Sequence, residues 1–194
     1  MKRKRPKYQQ IIEAAVKVIA KNGYHGSQVS KIAKEAGVAD GTIYLYFKNK
    51  EDVLVSVFKE KMGQFIEQIA KATAAQPDAE RKLKVLIDMH FSQLEQNPDM
   101  AIVTQLELRQ SDLSLRMQIN NVLKAYLNVI DQVIAEGIEE KRFRDDINPT
   151  LIRQMIFGTL DEVVTSWVMN DRKYDLTSQA EAVHDFLING LISK

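Results

Sequence analysis

Eleven residues near the N-terminus, Asp40-Gly-Thr-Ile-Tyr-Leu-Tyr-Phe-Lys-Asn-Lys50, concentrate side chains suited to gripping a polyanion. Ile43 and Phe47 are four apart, so a helix turns both inward and leaves Thr42, Tyr44, Leu45 and Tyr46 facing outward. Hydroxyls at Thr42, Tyr44 and Tyr46 can donate to phosphate oxygens or base edges, while Leu45 offers an apolar contact. Gly41 lets the start of this helix approach a neighbouring surface closely. Lys48 and Lys50 fall at the start of the next helix, where free backbone N–H groups and the macrodipole already favour a phosphate.

Catalysis has less to work with. The chain has no cysteine, which removes thiolate nucleophiles, disulfides and thiolate metal sites. His25, His90 and His184 are scattered without a His-Glu-x-x-His spacing, and there is no glycine-rich phosphate loop or nucleophile elbow. His90 is expected as a buried histidine with satisfied nitrogens. Asp161 and Glu162 are adjacent and point to different parts of a helix surface, so they make no acid/base pair. The residues therefore predict no enzyme, no metal and no cofactor.

The elements that position the basic segment are helices. With 8 Gly and 4 Pro, and apolar residues three and four apart nearly throughout, the pattern predicts an all-α chain without strands. A first helix starts near Pro6, carries Ile11, Ala15, Val18 and Ile19 on one face, and stops at Asn22-Gly23. Ser27 is the expected N-cap of a second, whose Val29, Ile32, Ala33 and Ala36 precede Gly37. A third spans Asp40 to Phe47 after the turn Gly37-Val38-Ala39. Asn49 caps a long fourth helix from Lys50 toward Ala75, broken by Gln76-Pro77-Asp78. Further helices are expected at 79–96, 99–110, 113–141, 149–170 and 176–192, about nine in all. Two short helices joined by a glycine turn have helix-turn-helix spacing, at about 28–47, with the second presented to a major groove. The expected architecture is an N-terminal three-helix head, residues 1–63, joined by helix 4 to a larger helical ligand-binding and dimerisation body, 64–194.

Composition agrees with a globular chain, 45% apolar and 27% charged over 194 residues,. No apolar run approaches the ~18 residues of a membrane span, and the basic start lacks the apolar stretch of a signal peptide, so a cytoplasmic protein is expected. The net charge of +1 hides an asymmetry. Residues 1–50 carry 11 Lys and Arg against 3 acids, whereas the remainder carries 16 against 23. A basic module on an acidic body suits contact with a polyanion at one end only. Two readings of the arm Lys2-Arg3-Lys4-Arg5 stay open, a contact to flanking phosphates or a minor groove, and a solvated tail.

The run Val29-Ser-Lys-Ile-Ala-Lys-Glu-Ala-Gly37-Val-Ala-Asp-Gly-Thr-Ile-Tyr44-Leu-Tyr-Phe47-Lys-Asn-Lys50 resembles the DNA-binding signature of the TetR family of repressors. Ile11-Ile-Glu-Ala-Ala and Asn22-Gly-Tyr24 resemble that family's first-helix pattern, so the likeness covers about 60 residues. It implies that Thr42, Tyr46 and Lys50 bind phosphates. It makes Asp40, Gly41, Tyr44 and Leu45 the recognition-helix face, and Ser30 and Lys31 a flanking contact. Where many relatives have Ser followed by Lys, this chain has Ala39 and Asp40. That exchange removes a capping hydroxyl and leaves Asp40 either to accept from a cytosine amine or to cap its own helix.

Ala101-Ile-Val-Thr-Gln-Leu-Glu-Leu-Arg-Gln110 and Arg153 to Val168 resemble the acyl-CoA-responsive repressors of fatty-acid degradation within that family. The likeness implies double-stranded operator DNA as partner, a homodimer, and release by long-chain acyl-CoA. An acyl tail needs an apolar slot, and Phe91, Leu106, Tyr126, Met155, Phe157 and Trp167 are the candidate lining. Gly158 marks close helix approach or room for ligand, and Arg109 and Arg116 are the candidate cations for the phosphorylated head. Each of these also reads as ordinary core or, for the arginines, as pairing with Glu107 or Asp112. Wide apolar stripes on 149–170 and 176–192 suit a four-helix dimer interface. Other outcomes are a TetR-type multidrug or other small-molecule sensor and, in other classes, a helical enzyme or a structural adaptor.

Overall fold

The structure, a computed structural model, describes residues 6–192; the arm Lys2 to Arg5 lies outside the described residues. Pro6 opens α1 (Pro6–Gly26), which buries Tyr8, Ile11, Ile12, Ala15, Val18 and Ile19. The helix loses regularity at Gly23, whose φ of 67° and ψ of 164° suit glycine alone,. Ser27 does not cap α2 (Val29–Glu35), which is entered from Gln28. Ser27 is wholly buried, and its Oγ lies 2.7 Å from the Gly23 carbonyl and 3.1 Å from that of Val18, donating back toward α1. The end of α1 has claimed the hydroxyl that the sequence offers to α2.

Gly37 (φ 62°) stops α2 with the N–H of Val38 on the Ala33 carbonyl and that of Gly37 on Lys34, the pairing of a Schellman motif,. Helix α3 (Asp40–Tyr44) is shorter than predicted. The N–H groups of Tyr46 and Phe47 both return to the Ile43 carbonyl, 3.0 Å each, and close the chain into a turn. In α4 (Lys50–Ala74) the predicted cap is present: Asn49 Oδ1 accepts from the Asp52 N–H (2.8 Å), and the Asp52 carboxylate accepts from the Lys48 N–H (3.0 Å),.

Then come α5 (Ala79–Gln96), α6 (Pro98–Glu107), α7 (Leu113–Glu139), α8 (Pro149–Met169) and α9 (Ala180–Leu191). These are nine helices among the described residues, with an isolated antiparallel bridge between Phe143 and Ile192. Helix α6 ends three residues earlier than predicted, and the Gln110 side chain donates to the Glu107 carbonyl there at 3.3 Å. The residues before α9, Leu176–Gln179, wind as a 3-10 turn, with Thr177 held by Glu95 through its N–H (3.2 Å) and hydroxyl (2.9 Å),.

The chain packs as two compact units. One comprises the chain through Gly63 together with Pro98–Val122; the other comprises Gln64–Asn97 and everything from Leu123 onward. In the first, α1 packs on α2 and, across a long stretch of sequence, on α6. Its core holds Ile11, Ile12, Ile32, Ile43, Phe47, Leu54 and Phe58. In the second, α5 packs on α8, α9 and the 3-10 turn around Leu83, Ile87, Phe91, Tyr126, Leu160 and Trp167. After α7 the chain turns tightly: the Phe143 N–H bonds the Gly137 carbonyl at 2.9 Å, and a Cβ on Gly137 would lie 2.2 Å from the Phe143 ring. Among the described residues no helix is long and apolar enough to cross a membrane.

Candidate nucleic-acid interface and buried aromatic cluster

The short α3 is anchored from behind and bare in front. Ile43 and Phe47 are 1% and 2% exposed, and Phe47 stacks on Tyr8 with ring centroids 5.2 Å apart. Tyr8 in turn donates to Glu60 on α4 at 3.2 Å. Gln10, which no sequence pattern singles out, donates to the Ala36 carbonyl at 2.7 Å and pins the turn before α3 to α1. On the opposite side Tyr44 and Leu45 are 58% and 69% exposed. Two large apolar bodies standing in solvent on a helix otherwise fixed to the core mark a contact surface.

The remaining residues of the predicted face surround them. Asp40 and Gly41 are exposed at the start of α3, and a Cβ on Gly41 would meet nothing within 4 Å, so the space it keeps open lies on the solvent side. Asp40 is not the cap of α3; Ala39 holds that position without a side-chain bond. Thr42 and Tyr46 are half-buried, with the Tyr46 ring 6.2 Å from that of Tyr8. Ser30 and Lys31 are exposed on α2, where Lys31 Nζ donates to the Gly26 carbonyl at 3.1 Å. Lys50 Nζ sits 4.4 Å from the Tyr24 ring centroid and donates to the His25 carbonyl at 3.2 Å,. Its ammonium is thus held at the end of α1 rather than swinging free.

The residues predicted to line a ligand slot divide. Phe91, Tyr126 and Phe157 come together in the second unit with Phe65 and His90. Tyr126 lies 5.8 Å from Phe65, 5.5 Å from His90 and 6.1 Å from Phe157, and Phe91 lies 5.8 Å from His90. Trp167 is buried and donates its indole N–H to the Tyr174 carbonyl at 2.7 Å, which fixes the loop after α8. Met155 faces outward at 54% exposure and lines a groove of about 640 Å³ with Ile152, Ile156, Phe186, Leu187 and Leu191. Gly158 is exposed and a Cβ there meets nothing within 4 Å, so among the described residues it permits no close helix approach. Leu106, Arg109 and Arg116 belong to the first unit, and all three are exposed.

His90 departs from expectation. Its Nδ1 lies 2.8 Å from the Tyr126 hydroxyl, but its Nε2 has no partner among the described residues. Burial alone pushes the imidazole down to about 3 and the Tyr126 phenol up, so both are neutral,. No group of three or more His, Asp or Glu side chains among the described residues is placed to hold a metal.

Comparison with known proteins matches both segments of the chain. Residues 11–57 match the family described as "Bacterial regulatory proteins, tetR family", and residues 58–190 match "YsiA-like protein, C-terminal region". The chain is 59% identical, over all of both chains, to the fatty acid metabolism regulator protein of Bacillus subtilis. A crystal structure of the transcriptional regulator FadR from Bacillus subtilis in complex with stearoyl-CoA superposes with a TM-score of 0.92 at 59% identity, covering 94% of this chain and 98% of that one. The fatty acid degradation regulator FadR from Bacillus halodurans gives 0.93 at 60% identity, covering 96% and 97%. With both its N-terminal and C-terminal segments matched, and full-length identity far above the level at which fold alone is shared, this chain belongs to the TetR family of transcriptional regulators.

Proposed function

We propose that this protein is a ligand-responsive repressor that binds palindromic operator DNA as a dimer and is released by long-chain acyl-CoA, which derepresses fatty-acid degradation. The observation that carries the proposal is the end-to-end 59% identity to a fatty acid metabolism regulator, since it spans the α3 surface and the aromatic cluster alike. Under this proposal residues 1–63 are the DNA-binding domain and 64–194 the effector-binding and dimerisation domain. Tyr44 and Leu45 enter the major groove with Asp40 and Gly41, while Thr42, Tyr46 and Lys50 hold phosphates and Ser30 and Lys31 of α2 make a flanking contact.

The acyl chain is assigned to the second unit, beside Phe91, Tyr126 and Phe157. Burial of each methylene contributes ~0.8 kcal/mol, so chain length governs affinity. Met155 is reassigned to dimerisation, because with Leu151, Met169 and Phe186, the last 78% exposed, it makes α8 and α9 too apolar outside to remain uncovered,. A DNA-binding regulator of this kind acts in the cytoplasm.

A gel shift on the protein's own promoter region tests the proposal. Stearoyl-CoA is expected to abolish the shifted band, with free stearate and free CoA ineffective. Indifference to all three rejects the effector assignment, and absence of any shifted band rejects the repressor.

A further inference from the structure

Three buried side-chain nitrogens lack a hydrogen-bond partner among the described residues: the Nε2 atoms of His90, Gln93 and His184. His90 stands apart because its residue is 5% exposed, whereas Gln93 and His184 reach solvent in part. The hydroxyl of Tyr126 has His90 Nδ1 as its partner, at 2.8 Å. The tautomer that satisfies both groups has the Tyr126 O–H donating to Nδ1, which leaves the proton on Nε2. Nε2 is then a buried donor with no acceptor, a standing cost to the ligand-free fold. The imidazole lies among aromatic rings, its centroid 5.5 Å from that of Phe65 edge-on, 5.8 Å from that of Phe91 and 5.5 Å from that of Tyr126.

We propose that His90 Nε2–H receives an uncharged carbonyl oxygen of the effector, the thioester carbonyl of a long-chain acyl-CoA, and thereby selects thioester over free carboxylate. The inference rests on the acyl-CoA effector proposed above. The imidazole is held neutral by burial, with no charged group contributing to its shift. A free carboxylate beside it enters as an unpaired charge among aromatic rings, which desolvation opposes. A thioester brings the same alkyl chain with a neutral acceptor, and so satisfies the orphaned donor without burying charge.

The test compares S-stearoyl-CoA with S-octadecyl-CoA, a thioether that keeps the chain and the nucleotide but lacks the carbonyl oxygen. Calorimetric titration of the wild-type protein is expected to favour the thioester about tenfold, the worth of one neutral hydrogen bond. Substituting His90→Leu together with Tyr126→Phe leaves neither partner orphaned and is expected to bring that ratio to about one. His90→Gln, whose amide nitrogen reaches the place of Nε2, is expected to keep the preference. A double variant that still prefers the thioester tenfold overturns the proposal, as does a wild-type protein that does not discriminate, or a His90→Gln variant that has lost the preference. A double variant that loses both ligands makes the pair structural, which also overturns it. A wild-type protein that binds neither ligand removes the effector assignment itself, and this inference with it.

Discussion

Glu107 Oε1, on the last turn of α6, accepts the backbone N–H of Tyr24 at 2.7 Å, eighty-three residues away in sequence. The bond is buried and sits where Gly23 has broken α1, so it supplies the acceptor that the helix no longer provides,. Glu107→Ala leaves a buried N–H unsatisfied and is expected to cost about 1–3 kcal/mol. The check is the urea midpoint at unchanged m-value. Glu107→Gln keeps an oxygen in place and is expected to cost less than the alanine; equal losses would deny the bond its role.

Tyr44 is exposed on α3 and touches no described ring, whereas Lys50 is tied to Tyr24 and His25. Tyr44→Ala is therefore expected to weaken operator binding while leaving acyl-CoA affinity and melting temperature nearly unchanged. With ~8 phosphates neutralised per dimer, the slope of log K against log salt is expected near −7, and Lys50→Ala reduces its magnitude by about 2. Fluorescence anisotropy of labelled operator over a salt series reads the operator affinity and both slopes, a calorimetric titration reads the acyl-CoA affinity, and a thermal melt reads the stability.

His90 carries a pH dependence of defined sign. Its folded value of about 3 lies below the ordinary histidine value of 6.5, so the unfolded chain binds more protons between them,. Stability from this group is complete above about 6.5 and falls as pH drops toward 3. Between pH 7 and pH 5 the loss is expected to be about 2 kcal/mol. The His90→Leu, Tyr126→Phe double variant is expected to lack that part of the slope in parallel urea titrations.

Two glycines give opposite expectations. Gly137→Ala drives a Cβ into the Phe143 ring, whose backbone is fixed to the Gly137 carbonyl, and is expected to destabilise by about 1–3 kcal/mol,. Gly158→Ala adds a methyl to open space in mid-α8, where alanine is favoured by about 1 kcal/mol in helix propensity,. Thermal melts of the two variants should move in opposite directions, with Gly158→Ala read at fixed protein concentration because α8 is proposed to dimerise.

Local chemistry was the legible part of this fold. Asn49, Gly37 and Pro6 act where the sequence puts them because caps and breakers depend on a few neighbouring residues. Ser27 has two uses within reach, and the Val18 and Gly23 carbonyls of α1 take its hydroxyl in place of the start of α2. The return of α6 onto α1 was not legible, since no periodicity within either helix names its partner across the chain. The α3 surface followed from spacing in part, with Ile43 and Phe47 in and Tyr44 and Leu45 out, while Thr42 and Tyr46, expected outward, are half-buried, Tyr46 beside Tyr8. The ligand residues were harder because an aromatic at helical spacing reads alike whether it faces a core, a ligand or a second subunit. Trp167, Phe157 and Met155 separate only in three dimensions.

Footprinting of promoter DNA by the purified protein at low salt is the most direct measurement. Two protected half-sites are expected, related by a dyad with centres ~34–36 Å or a multiple apart, and stearoyl-CoA should erase both. Folded protein that protects no duplex sequence, or protection that persists unchanged under saturating stearoyl-CoA, would contradict a repressor whose α3 reads DNA under acyl-CoA control.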